Sequence, residues 1–321
     1  MLRFACALLV FALLPDSLRA QQYPSRPVTI VAPNPPGAIV DLVARTVAQQ
    51  LSAAWGQPVI VENKPGANSQ IGAAYVAKAP PDGYTLMVSA EATFVINQSL
   101  YPKLPYDPVK DFAPVAALAR LDQALIVHSS VPANTFQELI ALAKSKPGEL
   151  TLGTFGAGSN AHLYLAMLQQ MTGVEILPVH YRGAAPAFTD VIAGHISMMF
   201  TTPNAASSAA KEGRVKLLAT GGRSRLRQLP DVPTIWESGL PGFEAVVWLG
   251  LVAPAGTPRD VVSKINGEIQ RIFSDPDFKQ RFLYTNSLES IAGTPEAFAD
   301  FMSKETVKWA DLIRLTGIKV E

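Results

Sequence analysis

Four times in this chain a short apolar run ends in a turn rich in Gly, Pro, Asn or Ser, and residues with helical spacing follow. The turns are NPPGAIVD (34–41), KPGANSQIG (64–72), GTFGAGSNAH (153–162) and YRGAAPAFTD (181–190). Repeated strand, turn and helix with short connections imposes right-handed crossovers, which predicts an α/β fold built on largely parallel sheet. The first series runs through a strand over 28–33, a helix over 38–51, a strand over 58–62, a helix over 70–78 and a strand over 85–89. In the first of these helices Val40, Leu42, Val43, Val47 and Leu51 recur near the 3.6-residue period. The rhythm restarts after Asp122, with strands over 124–128, 151–154, 176–181 and 196–200 and helices over 135–145, 161–172 and 186–193.

A loop-rich stretch, 223–243, then leads to a strand over 245–254 and helices over 261–273 and 295–316. This break places a second lobe at 123–244, inserted between two parts of a first lobe, 21–122 and 245–321. Two chain crossings would give a hinge and a central cleft. The length of 321 residues suits two domains. An apolar content of 48% with 17% charged residues gives ample core. Lys and Arg total 27 against 26 Asp and Glu, which argues against a nucleic-acid binder held by a general basic surface.

Residues 1–20 (MLRFACALLVFALLPDSLRA) read as an export signal: an early Arg3, an unbroken apolar run over 4–14, Pro15, and a small residue at Ala20. The run is too short for a bilayer, which needs about 20 residues. Cleavage would remove Arg3, Asp16, Arg19 and the single cysteine, Cys6. The mature chain would have no disulfide, no thiolate chemistry and no cysteine-ligated metal, as suits an exported bacterial protein with an ordinary large core.

In open α/β sheets ligands sit beyond the carboxyl ends of the strands, where helix N-termini present unpaired N–H groups and a partial positive charge. Gly lets such backbone approach an anion closely. Four turns of this kind facing one cleft would bind a carboxylate or phosphate without needing an Arg. Nucleotide motifs are missing from the third turn, which is neither GxGxxG nor GxxxxGK[ST]. Ser159 lies outside a GxSxG elbow and reads as the N-cap of its helix, with a hydrolase using Ser159 and His162 as the rival reading. His128, His162, His180 and His195 form no HExxH or close acidic cluster, so no metal site is expected. Asp41 and Asp190 suit helix starts. Arg182 suits either a ligand carboxylate or a salt bridge. Phe155, Tyr181 and Trp248 are open to both core and pocket roles.

Several long segments in order give a more specific pointer: YPSRPVTIVAPNPPGAIVDLVAR, VIVENKPGANSQIGAAYVAKAPPDGYTL, GTFGAGSNAHL, VHYRGAAPAFTDVIAGHISMMF and RLRQLPDVPTIWESGLPGFE. From about Tyr23 onward the chain resembles the Bug (TctC-like) family, the extracytoplasmic solute-binding receptors of tripartite tricarboxylate transporters. The resemblance implies a two-lobed periplasmic-binding-protein (Venus flytrap) fold with a central ligand cleft. It implies a monomeric periplasmic receptor without a cofactor, which takes a small carboxylate and passes it to membrane permease subunits. A sensor for a signalling partner is the alternative. By motif, the implied ligand contacts are Pro36, Gly37 and Ala38 in the first turn, Ala67, Asn68 and Ser69 in the second, and Ser89 at the end of the third strand. From the second lobe come Gly158, Ser159 and Asn160, with Asp190 as a selector for a ligand's distal group. Two positions depart from the family pattern, which has an aromatic residue at Asn34 and Gly at Ala38. Asn34 thereby offers an amide to the ligand, and Ala38 narrows the backbone approach.

Overall fold

The computed structural model describes residues 23–318 and Val320. The expected export segment, Cys6 included, lies outside the described residues. The first series forms β1 (Val28–Ala32), α1 (Ile39–Trp55), β2 (Val59–Asn63), α2 (Gln70–Ala77) and β3 (Thr85–Ala90). A π-helical segment, Ala92–Ile96, runs into the short α3 (Asn97–Leu100), and the long β4 (Phe112–Asp122) follows. Next come β5 (Ala124–His128), α4 (Phe136–Ser145), β6 (Thr151–Thr154), α5 (Asn160–Thr172) and β7 (Leu177–His180). Then α6 (Ala184–Ala193), β8 (Met198–Thr201), α7 (Pro203–Lys211) and β9 (Val215–Thr220) follow. The chain closes with β10 (Val246–Pro254), α8 (Arg259–Ser274), α9 (Pro276–Phe278), β11 (Glu289–Ser290) and α10 (Pro295–Thr316).

These strands make two sheets, in the orders β11-β4-β10-β3-β1-β2 and β7-β6-β8-β5-β9. Each contains one parallel trio, β2-β1-β3 or β7-β6-β8. The two trios are built alike, so turns one and two leave β1 and β2 just as turns three and four leave β6 and β7. The sheets are mixed rather than largely parallel, which corrects the sequence expectation. The cause is the chain's passage between sheets: β4 leaves the first sheet and β10 returns to it. These two pair antiparallel from Val246↔Asp122 to Pro254↔Phe112, and β10 also pairs antiparallel with β3. In the second sheet β5 enters antiparallel to both β8 and β9.

Only Gln123 separates β4 from β5. Its N–H donates to Ala245 O at 2.8 Å, Gly221 N–H donates to Gln123 O at 2.7 Å, and Ala245 N–H donates to Gly221 O at 3.0 Å. The outgoing and returning segments are therefore bonded to each other where they cross.

Strand alternation divides the core. In β5, Leu125 and Val127 join the cluster between the two sheets, while Ala124 and Ile126 face α6 and α7. In β1, Val31 joins the same central cluster, whereas Ile30 packs beneath α1 and α8. Helix α10 supplies Phe298, Trp309, Leu312 and Ile313 to the central cluster and so touches both sheets' layers. Trp309 meets Tyr164 of α5, and Phe298 meets Phe94 and Trp248 edge-on. Among the described residues no helix is long and apolar enough to cross a membrane.

Packing at the crossing generates a stability test. A Cβ on Gly221 would lie 2.4 Å from Ala245 O, so backbone must move to admit it. Gly221→Ala is expected to destabilise the protein by about 1–3 kcal/mol, read as a lower denaturant midpoint.

Candidate functional site

The parallel trios bring all four turns to one cleft of about 590 Å³. Asn34 and Pro35 come from the first turn, Gly66, Asn68 and Ser69 from the second, Phe155 and Ser159 from the third, and Arg182 from the fourth. Tyr101, just beyond α3, completes the wall.

The helices that follow these turns share one property. The N-cap residues of α1, α2, α5 and α6 are Ala38, Ser69, Ser159 and Gly183, and none makes a side-chain capping bond. By contrast Thr135, Thr202 and Thr294 cap α4, α7 and α10 with their hydroxyls. An uncapped helix start leaves N–H donors without partners and a partial positive charge beside them. The turns leading into these four starts all contribute to the cleft wall, and the N-caps Ser69 and Ser159 line it themselves. Arg182 is the one charged side chain in its lining and makes no ion pair among the described residues.

Three of the turns are held from behind. In the first, the Asp41 carboxylate accepts from Gly37 N at 2.9 Å, Arg45 Nε at 3.1 Å and Asn63 Nδ2 at 2.7 Å. Burial alone would raise the Asp41 pKa, but Arg45, the Gly37 N–H and Asn63 together hold it below the usual carboxylate value. Asp41 thus has a structural part. Asn34 Oδ1 is buried without a partner, which leaves its amide nitrogen as the accessible end.

The second turn has four consecutive residues with positive φ: Gly66 at 126°, Ala67 at 47°, Asn68 at 50° and Ser69 at 71°. Left-handed backbone costs non-Gly residues roughly 1–2 kcal/mol each, so the surroundings must impose it. Asn97, fully buried, does so. Asn68 Nδ2 donates to Asn97 Oδ1 at 2.8 Å, and Asn97 Nδ2 donates back to Asn68 O at 3.0 Å. Tyr106, itself bonded to Thr93 O at 2.7 Å, lies behind Asn97.

In the third turn Ser159 occupies the N-cap position, but its hydroxyl accepts from Phe155 N at 3.2 Å instead of capping α5. Gly158 N donates to His162 Nδ1 at 3.1 Å, and the His162 ring meets His180 edge-on at 4.8 Å. Ser159 and His162 are therefore each engaged with backbone rather than with one another. Burial, then the neighbouring His180, keeps the His162 imidazole below its usual pKa.

Of the residues expected at the site, Asn34, Asn68, Ser69 and Ser159 line the cavity, while Pro36, Gly37, Ala38 and Ala67 belong to its turns without lining it. Ser89 is buried, its hydroxyl bonded to Thr93 Oγ1 at 2.6 Å. Gly158 is buried against Leu100 and Val320. Asn160 turns its amide away to Glu91. Asp190 sits in the last turn of α6, not near its start, because the helix begins at Ala184. Its carboxylate accepts from Tyr181 Oη at 2.7 Å and pairs with His195 at 3.3 Å. Phe155 is a wall, whereas Trp248 is core, stacked on Phe94. Sequence reasoning missed Tyr101, Asn97 and Glu91. A lone acid within LMVSAEATFVI was the available signal for Glu91; the other two had none.

A second hollow, about 450 Å³, lies between α10 and the β4/β10 face. Its cations are already paired, Arg120 with Asp122, Arg223 with Glu244, and Lys308 with Glu244 and Glu305. The cleft, with free donors and a free cation, is the better anion site. The described residues hold no cluster of three or more metal-ligating side chains.

Residues 43–318 match the model of the tripartite tricarboxylate transporter family receptor. A protein of the tcbD-tcbE intergenic region of Pseudomonas sp. (strain P51) is 38% identical over 95% of this chain and 91% of its own. An R. palustris protein solved with adipate is 32% identical with a TM-score of 0.83, over 93% of this chain and 100% of its own. MatC of Rhodopseudomonas palustris, solved with malate, is 33% identical with a TM-score of 0.77, over 91% and 100%.

Two acid-side effects follow from the turns. Asp41, with its depressed pKa, stabilises the fold above about pH 4 and loses that contribution as pH falls through its folded-state value. Asp41→Ala should cost about 1–3 kcal/mol at pH 7, measured by urea unfolding. His162, also depressed, should begin to cost stability as pH drops below the usual histidine value, because the unfolded chain protonates first. His162→Gln should flatten the stability profile between pH 7 and 5, and the imidazole's own titration by NMR should fall below the usual histidine midpoint.

Proposed function

The chain belongs to the tripartite tricarboxylate transporter receptor family, and we propose that it captures a small organic carboxylate in the periplasm and presents it to membrane permease subunits. Binding without catalysis is the proposed activity. The reading rests on one observation above all: four turns, each leading into a helix without a side-chain cap, and an unpaired Arg182 meet in a cleft lined by no acidic side chain. Each helix start favours an anion by about 0.3–1 kcal/mol, and their free N–H groups supply oriented donors. Arg182 and the Asn34 amide add side-chain donors from the fourth and first turns. The adipate and malate carried by the two similar structures support the ligand class.

In this reading residues 21–122 and 245–321 form one lobe and 123–244 the other, with the bonded crossing at Gln123, Gly221 and Ala245 as the hinge. A ligand touching turns from both lobes has more contacts when the lobes close, so it shifts the population toward the closed form. A permease can then recognise closure rather than the ligand itself. Export by residues 1–20, action as a monomer and independence from cofactors belong to the same proposal.

The test is calorimetric titration of the mature protein with adipate, malate and uncharged analogues. Saturable binding of a carboxylate, without its consumption, is expected. Arg182→Ala should weaken it roughly tenfold, about 1.4 kcal/mol. Turnover of the ligand by pure protein, or equal binding of the uncharged analogues, would overturn the reading.

A further inference from the structure

One bond in the molecule ties the binding turns of one sheet to the body of the other. Glu91 directly follows β3 and opens the π-helical segment, and its carboxyl is fully buried. Asn160 is the first residue of α5, immediately after Ser159 in the cleft wall. The Asn160 amide is hydrogen-bonded to Glu91 Oε1, and Trp248 N in β10 donates to Glu91 Oε2 at 3.2 Å. One carboxyl group thus joins the π-helical segment, the returning strand β10 and the start of α5. π-Helical turns frequently mark functional positions.

We propose that Glu91 is a positioning residue for ligand capture, an interlobe latch that fixes the uncapped start of α5, and with it the third turn, against the first lobe. The link to capture rests on the receptor reading above; the latch itself does not. Geometry favours this role over simple packing. A buried carboxyl is costly unless it is bonded, and an aliphatic residue would fill the same space without that cost. Here both carboxyl oxygens are engaged, each by a different element.

The latch carries a proton, for which the Asn160 amide turns its oxygen rather than its nitrogen toward Glu91 Oε1. Burial, opposed by backbone N–H donors, pushes the Glu91 pKa up to about 8. Other charged or titratable groups face it from two elements. Tyr164 of α5 is fully buried, its hydroxyl beside the Asn160 amide. From α10, Glu305 raises the Glu91 pKa further and Lys308 lowers it. Glu305 is in turn held by Trp248 Nε1 at 3.3 Å and Trp309 Nε1 at 3.1 Å. Once the lobes part, water reaches Glu91 and its pKa returns toward the ordinary 4.5. An acid with a raised pKa in the closed form stabilises that form at low pH. The stabilisation is lost as pH rises toward about 8. Alkaline pH should therefore loosen the α5 start and open the cleft.

Hydrogen exchange of the backbone amides at Leu163 and Tyr164, in ligand-free mature protein and corrected for intrinsic exchange, reads the latch directly. From pH 6 to 9 these amides should lose protection at least tenfold in the wild type, while those of α8 do not. Glu91→Gln keeps a neutral, bonded side chain, so protection should persist and its pH dependence should vanish. Glu91→Ala should exchange at least tenfold faster than the wild type at pH 6, with a pH dependence as flat as that of Glu91→Gln. If Glu91→Ala does not fold, Asn160→Ala cuts the same bond from the other side and should show the same loss. Unchanged protection in Asn160→Ala, or a wild-type pH slope in Glu91→Gln, would overturn the latch. Calorimetry with adipate on the same samples separates the two ideas. Failure of adipate and malate to bind would count against the carboxylate reading, while the exchange result would still decide the latch.

Discussion

Backbone N–H groups that open a helix have no partners within it, and the arrangement of this protein depends on where it leaves them unsatisfied. Away from the cleft, threonine hydroxyls close the starts of α4, α7 and α10, while α8 begins after Pro258 without a side-chain cap. At the cleft that chemistry is withheld. Ala38 and Gly183 have no hydroxyl to offer, Ser69 is in a left-handed conformation, and Ser159 turns to Phe155 N. Leaving donors open on four helices lowers stability locally, and the surrounding structure compensates. Asp41, Asn97 and His162 hold three of the turns from behind, each through bonds to backbone. The result is a positive surface made chiefly of fixed dipoles, consistent with a chain whose formal charge is only +1.

The same economy explains the distribution of ionisable groups. Most ion pairs lie at the surface, where each contributes little. Two paired acids are buried at joints, Asp41 behind the first turn and Asp122 beside Arg120 at the crossing, and a third, Glu91, is buried between the sheets without a cation. Burial raises the Asp122 pKa, with Arg120 opposing that shift. Each is a buried acid held by named donors, so each fixes a direction as well as a distance.

Local pattern carried much of this architecture. The boundaries of α10 are those read from the sequence, and α1 overruns its expected end only until Gly56, whose left-handed φ of 64° stops it. The four turns were legible because strand, Gly or Pro, and helical period all coincide there. Strand β4 was not, since Pro114 and Arg120 interrupt its apolar run although both its faces are largely covered. Helix α7 was missed because PNAASSAAK buries only small residues, although Thr202 and Pro203 form a regular helix start. Mixed sheet direction depends on how β10 returns beside β4, which no local pattern encodes. At the site, turn residues could be read but their supports could not. Asn97 lies 29 residues from the turn it clamps, and Asn160 lies 69 from Glu91. Only the turn residues share a local context with one another.

The bonded crossing at Gln123, Gly221 and Ala245 limits how the two sheets can move. Separate linkers would let one sheet slide, twist or swing against the other. Here Gln123 of the outgoing strand bonds to both Gly221 and Ala245, which bond to each other, so outgoing and returning chain form plies of one band. Sliding one ply along the other would break bonds worth about 1 kcal/mol each, whereas flexing both together breaks none. Such a band opposes sliding of the two sheets more than bending between them.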